Sequence, residues 1–120
     1  MKAETGQRAF YSGLEAERSV ARHYLRRGCR FVAHRFRGTA GEIDLIVEDD
    51  TSLIFVEVKT SDTHAAAMHA LQPRQIERLL STAEEFLGGR PGGLDTTARF
   101  DLATVDRSGT VEITENALMT

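Results

Sequence analysis

Four charged side chains interrupt two apolar runs that otherwise have the pattern of β-strands. The stretch GEIDLIVEDDTSLIFVEVKT, residues 41–60, alternates apolar residues along both runs and places charges among them at Glu42, Asp44, Glu57 and Lys59. Residues two apart on a strand share a face, so Glu57 and Lys59 point the same way. If the strands pair across a turn at residues 48–52, Asp44 and Glu57 lie close together at one end of the sheet. Burying unpaired charge is costly, so these residues need partners.

A divalent cation is the partner that this set of residues favours. Neighbouring carboxylates raise each other's pKa unless a cation lies between them. Oxygen donors without Cys or His favour a hard ion, Mg²⁺ or Mn²⁺. Lys59 could then offset negative charge on a phosphate or orient an attacking water. The alternative is a structural ion pair between Glu57 and Lys59 on a half-exposed strand, with Asp44 in water; that explanation suits each residue alone better than it suits the three together.

Two further polar residues are predicted to face the same place. Glu17 precedes Val20 and Ala21 by three and four residues, so it lies on the sheet-facing stripe of a predicted helix and could be a third metal ligand. Its alternative role is a favourable interaction with the helix dipole, worth about 0.3–1 kcal/mol. Gln75 lies four residues before Leu79 in the first turn of a second helix and could also face the site, although a capping or surface glutamine fits as well.

The elements that must position these residues follow from apolar periodicity and from Gly and Pro. We expect a loop or mobile arm over residues 60–70, and a flexible loop at RGTAG, residues 37–41. In chain order the predicted elements are a helix over 13–28, a strand over 30–36, two strands within 41–60, a helix from Pro73 to the GGRPGG segment, and a hairpin over 98–118. This order predicts an α/β fold in which helices flank a mixed sheet.

Each predicted helix has one apolar face that is expected to pack on the sheet. The faces comprise Ala16, Val20, Ala21, Tyr24 and Leu25 in the first helix and Ile76, Leu79, Leu80, Ala83, Phe86 and Leu87 in the second.

Charge is distributed unevenly along the 120 residues. Residues 1–37 carry nine Lys or Arg against three Glu, a net charge of +6, and residues 38–120 carry six against fifteen acidic residues, a net charge of −9. A basic end could contact a polyanion, and an acidic end could hold a cation; a solvated basic helix face that binds nothing is the alternative. The candidates for contacts with nucleic-acid phosphates are Arg18, Arg22, Arg26, Arg27, Arg30, Arg35 and Arg37.

The single cysteine, Cys29, excludes an internal disulfide framework and a cysteine-rich zinc site. No stretch has the apolar length of a membrane span or of a secretory signal. We therefore expect a cytoplasmic protein without a membrane partner.

The combined motifs resemble a known group of nucleases. GEIDLI followed by FVEVK resembles the PD-(D/E)xK superfamily of restriction-endonuclease-like nucleases. With AE…A…YL…G, RFRG..GEIDLI, Q..R and RFD, the chain is similar to the bacterial YraN, or UPF0102, family over about residues 13–118. The resemblance implies a restriction-endonuclease-like fold in the order α-β-β-β-α-β-β, in a single domain over 1–120. It also implies a metal site of Glu17, Asp44 and Glu57, a catalytic Lys59, and Gln75 on the second helix; Ile43 replaces the superfamily's Pro before Asp44.

The first functional hypothesis is a metal-dependent nuclease acting on DNA, structure-selective in the manner of a junction resolvase. Its metal would be Mg²⁺ or Mn²⁺, and symmetric action on a branched substrate would call for a homodimer. The second hypothesis is a non-catalytic nucleic-acid-binding or accessory protein on the same fold. A hydrolase of another phosphoester is a third.

Overall fold

The computed structural model describes the backbone of residues 2–69 and 71–118 and the side chains of residues 13–66 and 71–118. The elements are α1 (Lys2–Arg26), β1 (Arg30–Arg37), β2 (Glu42–Glu48), β3 (Leu53–Thr60), α2 (His64–His69), α3 (Pro73–Gly88), β4 (Ala98–Val105) and β5 (Val111–Thr114). A short 3₁₀ turn at Gly93–Asp95 precedes β4. Although α1 has 25 residues, no helix in these ranges has the length and apolar character to span a membrane.

The five strands form one mixed sheet in the order β1-β2-β3-β4-β5. The pair β3–β4 is parallel and the other pairs are antiparallel. Parallel strands need a long crossover between them, and α2 and α3 lie in that connection. The predicted α/β class and order of elements are confirmed, and the architecture is consistent with a restriction-endonuclease-like fold.

The structure corrects the expected loop over residues 60–70, because α2 occupies His64–His69. The hydroxyl of Thr63 accepts a 3.1 Å hydrogen bond from the amide of Ala66, which caps the first turn. Alanine is the strongest helix former, so the run of three alanines at 65–67 favours this helix. A helix of 6 residues is less than two turns long, too short to show an apolar period in the sequence.

The sheet lies between α1 on one face and α3 on the other. Val20 and Tyr24 of α1 pack on buried residues that include Leu45, Val56 and Ala103. On the opposite face, Leu79, Ala83 and Leu87 of α3 pack on residues that include Ile46 and Phe55.

Two residues of the predicted apolar faces are exposed. Leu25 is 47% exposed and Leu80 is 44% exposed. Each follows a buried residue, Tyr24 or Leu79, and consecutive residues are separated by about 100° around a helix axis. The side chains of Leu25 and Leu80 are therefore turned away from the sheet.

A buried polar contact joins α1 to β4 and sets the position of the helix on the sheet. The hydroxyl of Tyr24 donates a 2.6 Å hydrogen bond to Oδ2 of Asp101, which is only 2% exposed. The guanidinium of Arg99 neutralises the same carboxylate, with Nε 3.1 Å from Oδ1. Burial and the hydrogen bond to Asp101 raise the pKa of Tyr24. Because Glu17 lies two turns before Tyr24, this contact also sets where Glu17 meets the sheet.

Candidate active site

The strands β2 and β3 separate at one end, and Asp44 lies in the resulting fork. Their pairing runs from Glu48 opposite Leu53 to Leu45 opposite Val56 and then stops. Beyond this point β2 continues alongside β1, and β3 continues alongside β4. Oδ2 of Asp44 accepts a 2.9 Å hydrogen bond from the backbone amide of Val58. Where the β2–β3 pairing ends, this side-chain carboxylate thus accepts the hydrogen bond that a backbone carbonyl of β2 would accept in a continuing ladder.

Glu57 lies beside Asp44 and is shielded from solvent. It is 7% exposed, its carboxyl group is hydrogen-bonded to that of Asp44, and the amide of Gln75 on α3 donates a 2.6 Å hydrogen bond to its Oε2. Burial, followed by the hydrogen bond and charge of Asp44, raises the pKa of Glu57 to about 9. Glu57 therefore keeps its proton at neutral pH.

Lys59 is half-buried and lies two residues after Glu57 on β3. Its positive charge lowers the pKa of Glu57, although it offsets only part of the effect of burial and of Asp44. Alternation along the strand places Lys59 on the same side of the sheet as Glu57, which is the side that carries Gln75. The structure thus brings Asp44, Glu57, Lys59 and Gln75 into one neighbourhood.

Glu17 is buried, as its place on the helix stripe predicts, but its carboxylate contacts β1. It is 8% exposed. Arg35 donates to both oxygens, from Nε to Oε1 at 3.0 Å and from Nη2 to Oε2 at 3.2 Å. Nε2 of His34 donates to Oε1 at 2.6 Å. Among the residues with described side chains, no three acidic, histidine or cysteine residues come together as a ready-made metal centre, and the role of Glu17 as third ligand stays a prediction.

Asp44 and Glu57 by themselves fit a hard divalent cation. Both offer carboxylate oxygens, which Mg²⁺ and Mn²⁺ prefer. Burial, followed by the hydrogen bond and charge of Asp44, raises the pKa of Glu57, so that its ionised form needs a counter-charge. A divalent cation would supply that charge in place of the proton on Glu57.

The predicted phosphate-binding arginines do not line a single groove. Arg18 borders a cavity of about 380 Å³ together with Phe31 and His34, close to Glu17. Arg22 and Arg26 border a separate depression next to Val111 of β5. Four residues slightly exceed one helical turn, so arginines spaced by four drift around α1. Exposed Arg37 pairs with Glu42 at 3.2 Å, and Arg35 is engaged by Glu17.

The sequence offered no signal for a contact that holds the loop between β1 and β2. Oε2 of Glu85 on α3 accepts hydrogen bonds from the amide and hydroxyl of Thr39, at 2.8 and 3.2 Å. A Cβ atom added at Gly38 would overlap the carboxylate of Glu85. The loop, expected to be flexible, is therefore tied to α3 immediately before Glu42 and Asp44. Glu85 is an exposed helical glutamate, and nothing in the spacing of residues distinguishes it from its neighbours.

Comparison with known proteins places the chain in a family. The family model described as "Uncharacterised protein family UPF0102" matches residues 16–105. A UPF0102 protein of Cereibacter sphaeroides is 50% identical over 113 residues, which are 94% of this chain and 97% of that protein. A UPF0102 protein of Ruegeria pomeroyi is 48% identical over 115 residues, 96% and 94% of the two chains. One of Roseobacter denitrificans is 44% identical over 117 residues, 98% and 91% of the two chains. The family resemblance of the motifs is thus confirmed, and the chain belongs to the UPF0102 family.

Proposed function

We propose that this protein is a metal-dependent nuclease that hydrolyses phosphodiester bonds in DNA. The observation that carries the proposal is the carboxyl pair of half-buried Asp44 and buried Glu57 in the fork between β2 and β3. A pair held only for stability would be replaced at little cost by apolar residues. A cation site explains why both carboxyl groups are present. Lys59, two residues after Glu57 on the same face of β3, adds a positive charge that could contact a phosphate.

Each residue of the site has a role in this chemistry. Asp44 and Glu57 would hold Mg²⁺ or Mn²⁺, which when bound supplies Lewis acidity and lowers the pKa of a coordinated water. Lys59 would stabilise the negative charge that develops on the phosphate. Gln75 fixes the orientation of Glu57 through the 2.6 Å hydrogen bond and acts as a positioning residue.

The arginines of α1 provide cations for the phosphates of a DNA substrate. Arg18 shares a cavity with Glu17, whereas Arg22 and Arg26 border a depression next to β5. All three lie within about 12 Å along the axis of α1, so a duplex or one arm of a junction could contact them. A four-way junction is the substrate we favour, and a homodimer would cut it symmetrically.

The second candidate function is nucleic-acid binding without catalysis. One observation favours it: both oxygens of Glu17 are already engaged by Arg35 and His34. On this alternative the fork is a vestige of a metal site. It would give DNA binding that depends steeply on salt and that is unchanged by Glu57→Gln.

Calorimetric titration of Mg²⁺ and Mn²⁺ tests the proposal. The proteins to compare are the wild type, the double variant Asp44→Asn, Glu57→Gln, and the control Asp50→Asn, which removes one exposed carboxylate from the β2–β3 turn. All three are also incubated with duplex, single-stranded and four-way-junction DNA. The expected result is that metal binding and cleavage are lost together in the double variant and retained in the control. Cleavage by the double variant at the wild-type rate would refute the proposal, and binding of DNA without metal or cleavage in any protein would establish the second candidate.

A further inference from the structure

Arg35 adopts a backbone conformation that L-residues rarely take. Its φ is +54°, in the middle of β1, between the pairs His34–Leu45 and Phe36–Ile43. Successive strand side chains normally point to opposite faces, yet His34 and Arg35 both reach Glu17. The left-handed conformation allows this. Such strain persists only where the surroundings impose it, and it concentrates at functional sites.

The guanidinium of Arg35 lies near several acidic residues on this side of the fork. Arg35 on β1 and Asp44 on β2 both lie between the pairs His34–Leu45 and Phe36–Ile43. The hydrogen bond with Glu17, and the negative charges of Glu17, Glu42 and Asp44, all raise the pKa of Arg35. The Arg35 side chain is 31% exposed and that of Glu17 only 10%, so a ligand from solvent meets the guanidinium before it meets the carboxylate.

We propose that Arg35 is a positioning residue that keeps Glu17 from the metal in the free protein and transfers to a DNA phosphate when substrate binds. The inference rests on the proposed function and adds a coupling between the binding of DNA and the binding of the metal. A guanidinium fork fits a carboxylate and a phosphate with the same two-pronged geometry, so the exchange replaces one good partner with another. Oε2 of buried Glu17 then needs a new cation, while His34 stays on Oε1.

This exchange makes DNA and metal bind cooperatively. DNA that engages Arg35 frees Glu17 and tightens metal binding, and by linkage the metal tightens DNA binding by the same factor. Removing the guanidinium removes the hydrogen bond to Oε2 of Glu17 and leaves His34 on Oε1. The metal should then bind tightly without DNA, and DNA should add little.

The test is calorimetric titration of Mn²⁺, with and without a hydrolysis-resistant phosphorothioate four-way junction. The proteins are the wild type, Arg35→Gln and Arg35→Gly; glycine adopts the left-handed conformation without strain, which protects the test against a folding failure. The control is Arg107→Gln, which removes an exposed arginine paired with Asp62 at 2.8 Å on the β4–β5 turn.

In the wild type and the control we expect the junction to tighten Mn²⁺ binding by about tenfold, within the range of common allosteric couplings. Both Arg35 variants should bind Mn²⁺ about tenfold more tightly than wild type without DNA, with little further gain from the junction. Adding Glu17→Gln to Arg35→Gln should abolish the gain.

Equal Mn²⁺ affinity of the wild type and the Arg35 variants without DNA would overturn the inference and leave the proposed function intact, provided that binding still depends on Asp44. The same tightening by DNA in the Arg35 variants as in the wild type would also overturn it. Absence of Mn²⁺ binding in every protein, with and without DNA, would refute the proposed function and this inference together.

Discussion

The side-chain amide of Gln75 on α3 donates a 2.6 Å hydrogen bond to Oε2 of Glu57 on β3. This contact links the helix that follows the crossover to the strand that forms one side of the fork. It lowers the pKa of Glu57, against the larger opposing effects of burial and of Asp44. The hydrogen bond therefore favours the ionised form of Glu57, which is the form that can hold a cation.

Replacing Gln75 by alanine should weaken Mn²⁺ binding at neutral pH by about tenfold, as is typical when a residue that supports a metal ligand is lost. The reason is that Glu57 loses its orientation and retains its proton more strongly. Calorimetry measures the change, and Ser81→Ala, an exposed position of the same helix, is the control. An unchanged affinity in Gln75→Ala would show that α3 does not support the site.

The pH dependence of metal binding follows from the raised pKa of Glu57. At pH values below the Glu57 pKa of about 9, the metal must displace one proton from Glu57. The association constant for the metal should therefore rise by about tenfold per pH unit between pH 6 and 8.5. Titrations in buffers of different ionisation enthalpy would count the proton released. Glu57→Gln should bind more weakly and lose this slope. A wild-type affinity that is flat over the same range would contradict a protonated Glu57.

The same group makes the stability of the metal-free protein depend on pH. Because the folded-state pKa of Glu57, about 9, lies above its ordinary value of 4.5, the folded protein binds a proton that the unfolded chain does not bind in this interval. Glu57 therefore contributes its full stability below pH 4.5, and this contribution is lost as pH rises towards 9. Urea unfolding of wild type and Glu57→Gln at several pH values should show a downward slope in the wild type that is reduced in the variant.

Tyr24→Phe should destabilise the protein by about 1–3 kcal/mol, the usual cost of leaving a buried hydrogen-bonding group without one partner. The variant retains the ring that packs in the core and removes only the hydroxyl that donates to Asp101. Chemical unfolding with an unchanged m-value would assign the loss to the native state. The control is His23→Phe. His23 is the half-buried neighbour of Tyr24 on the same helix, and its substitution leaves Asp101 untouched. Wild-type stability of Tyr24→Phe would mean that Arg99 and the amide of Asn116 satisfy Asp101 without the hydroxyl.

Gly38 and Glu85 should show coupled effects on stability. A methyl group at position 38 would displace the Glu85 carboxylate and break its two hydrogen bonds to Thr39. Gly38→Ala and Glu85→Ala should each cost about 1 kcal/mol. The double variant should cost no more than one of them, because both remove the same contacts. Additive losses in a double-mutant cycle would show that the loop is not held by this carboxylate.

Arg22 and Arg26 allow a test of whether the substrate is a four-way junction. The double variant Arg22→Gln, Arg26→Gln should weaken binding to a four-way junction by about tenfold at low salt and reduce the salt dependence by about two counterions. Binding to a short linear duplex should weaken much less. Fluorescence anisotropy over a salt series measures both, with Arg107→Gln, which removes one positive charge from the β4–β5 turn, as a control. Equal weakening on the two substrates would argue against a multi-armed substrate.

Local pattern was enough to predict the proximity of Asp44 and Glu57. Each apolar run of residues 41–60 alternates with period two, and the turn between them is short, so few registers bury both apolar faces. Similarly, Pro73 and the apolar face after it predict α3, and that helix brings Gln75 to the strand. The parts of the candidate site that lie on β2, β3 and α3 therefore follow from spacing along the chain.

Only the tertiary structure decided the surroundings of Glu17. Its burial follows from the stripe of α1, but its partners depend on where α1 meets β1 and on the left-handed backbone of Arg35, and neither leaves a periodic trace in the sequence. The same holds for Glu85, whose contact with Thr39 joins residues 46 apart. Periodicity describes which face of an element is apolar. Which charged groups meet across two elements depends on how those elements pack, and that is why Arg35 was expected at a phosphate and lies against Glu17.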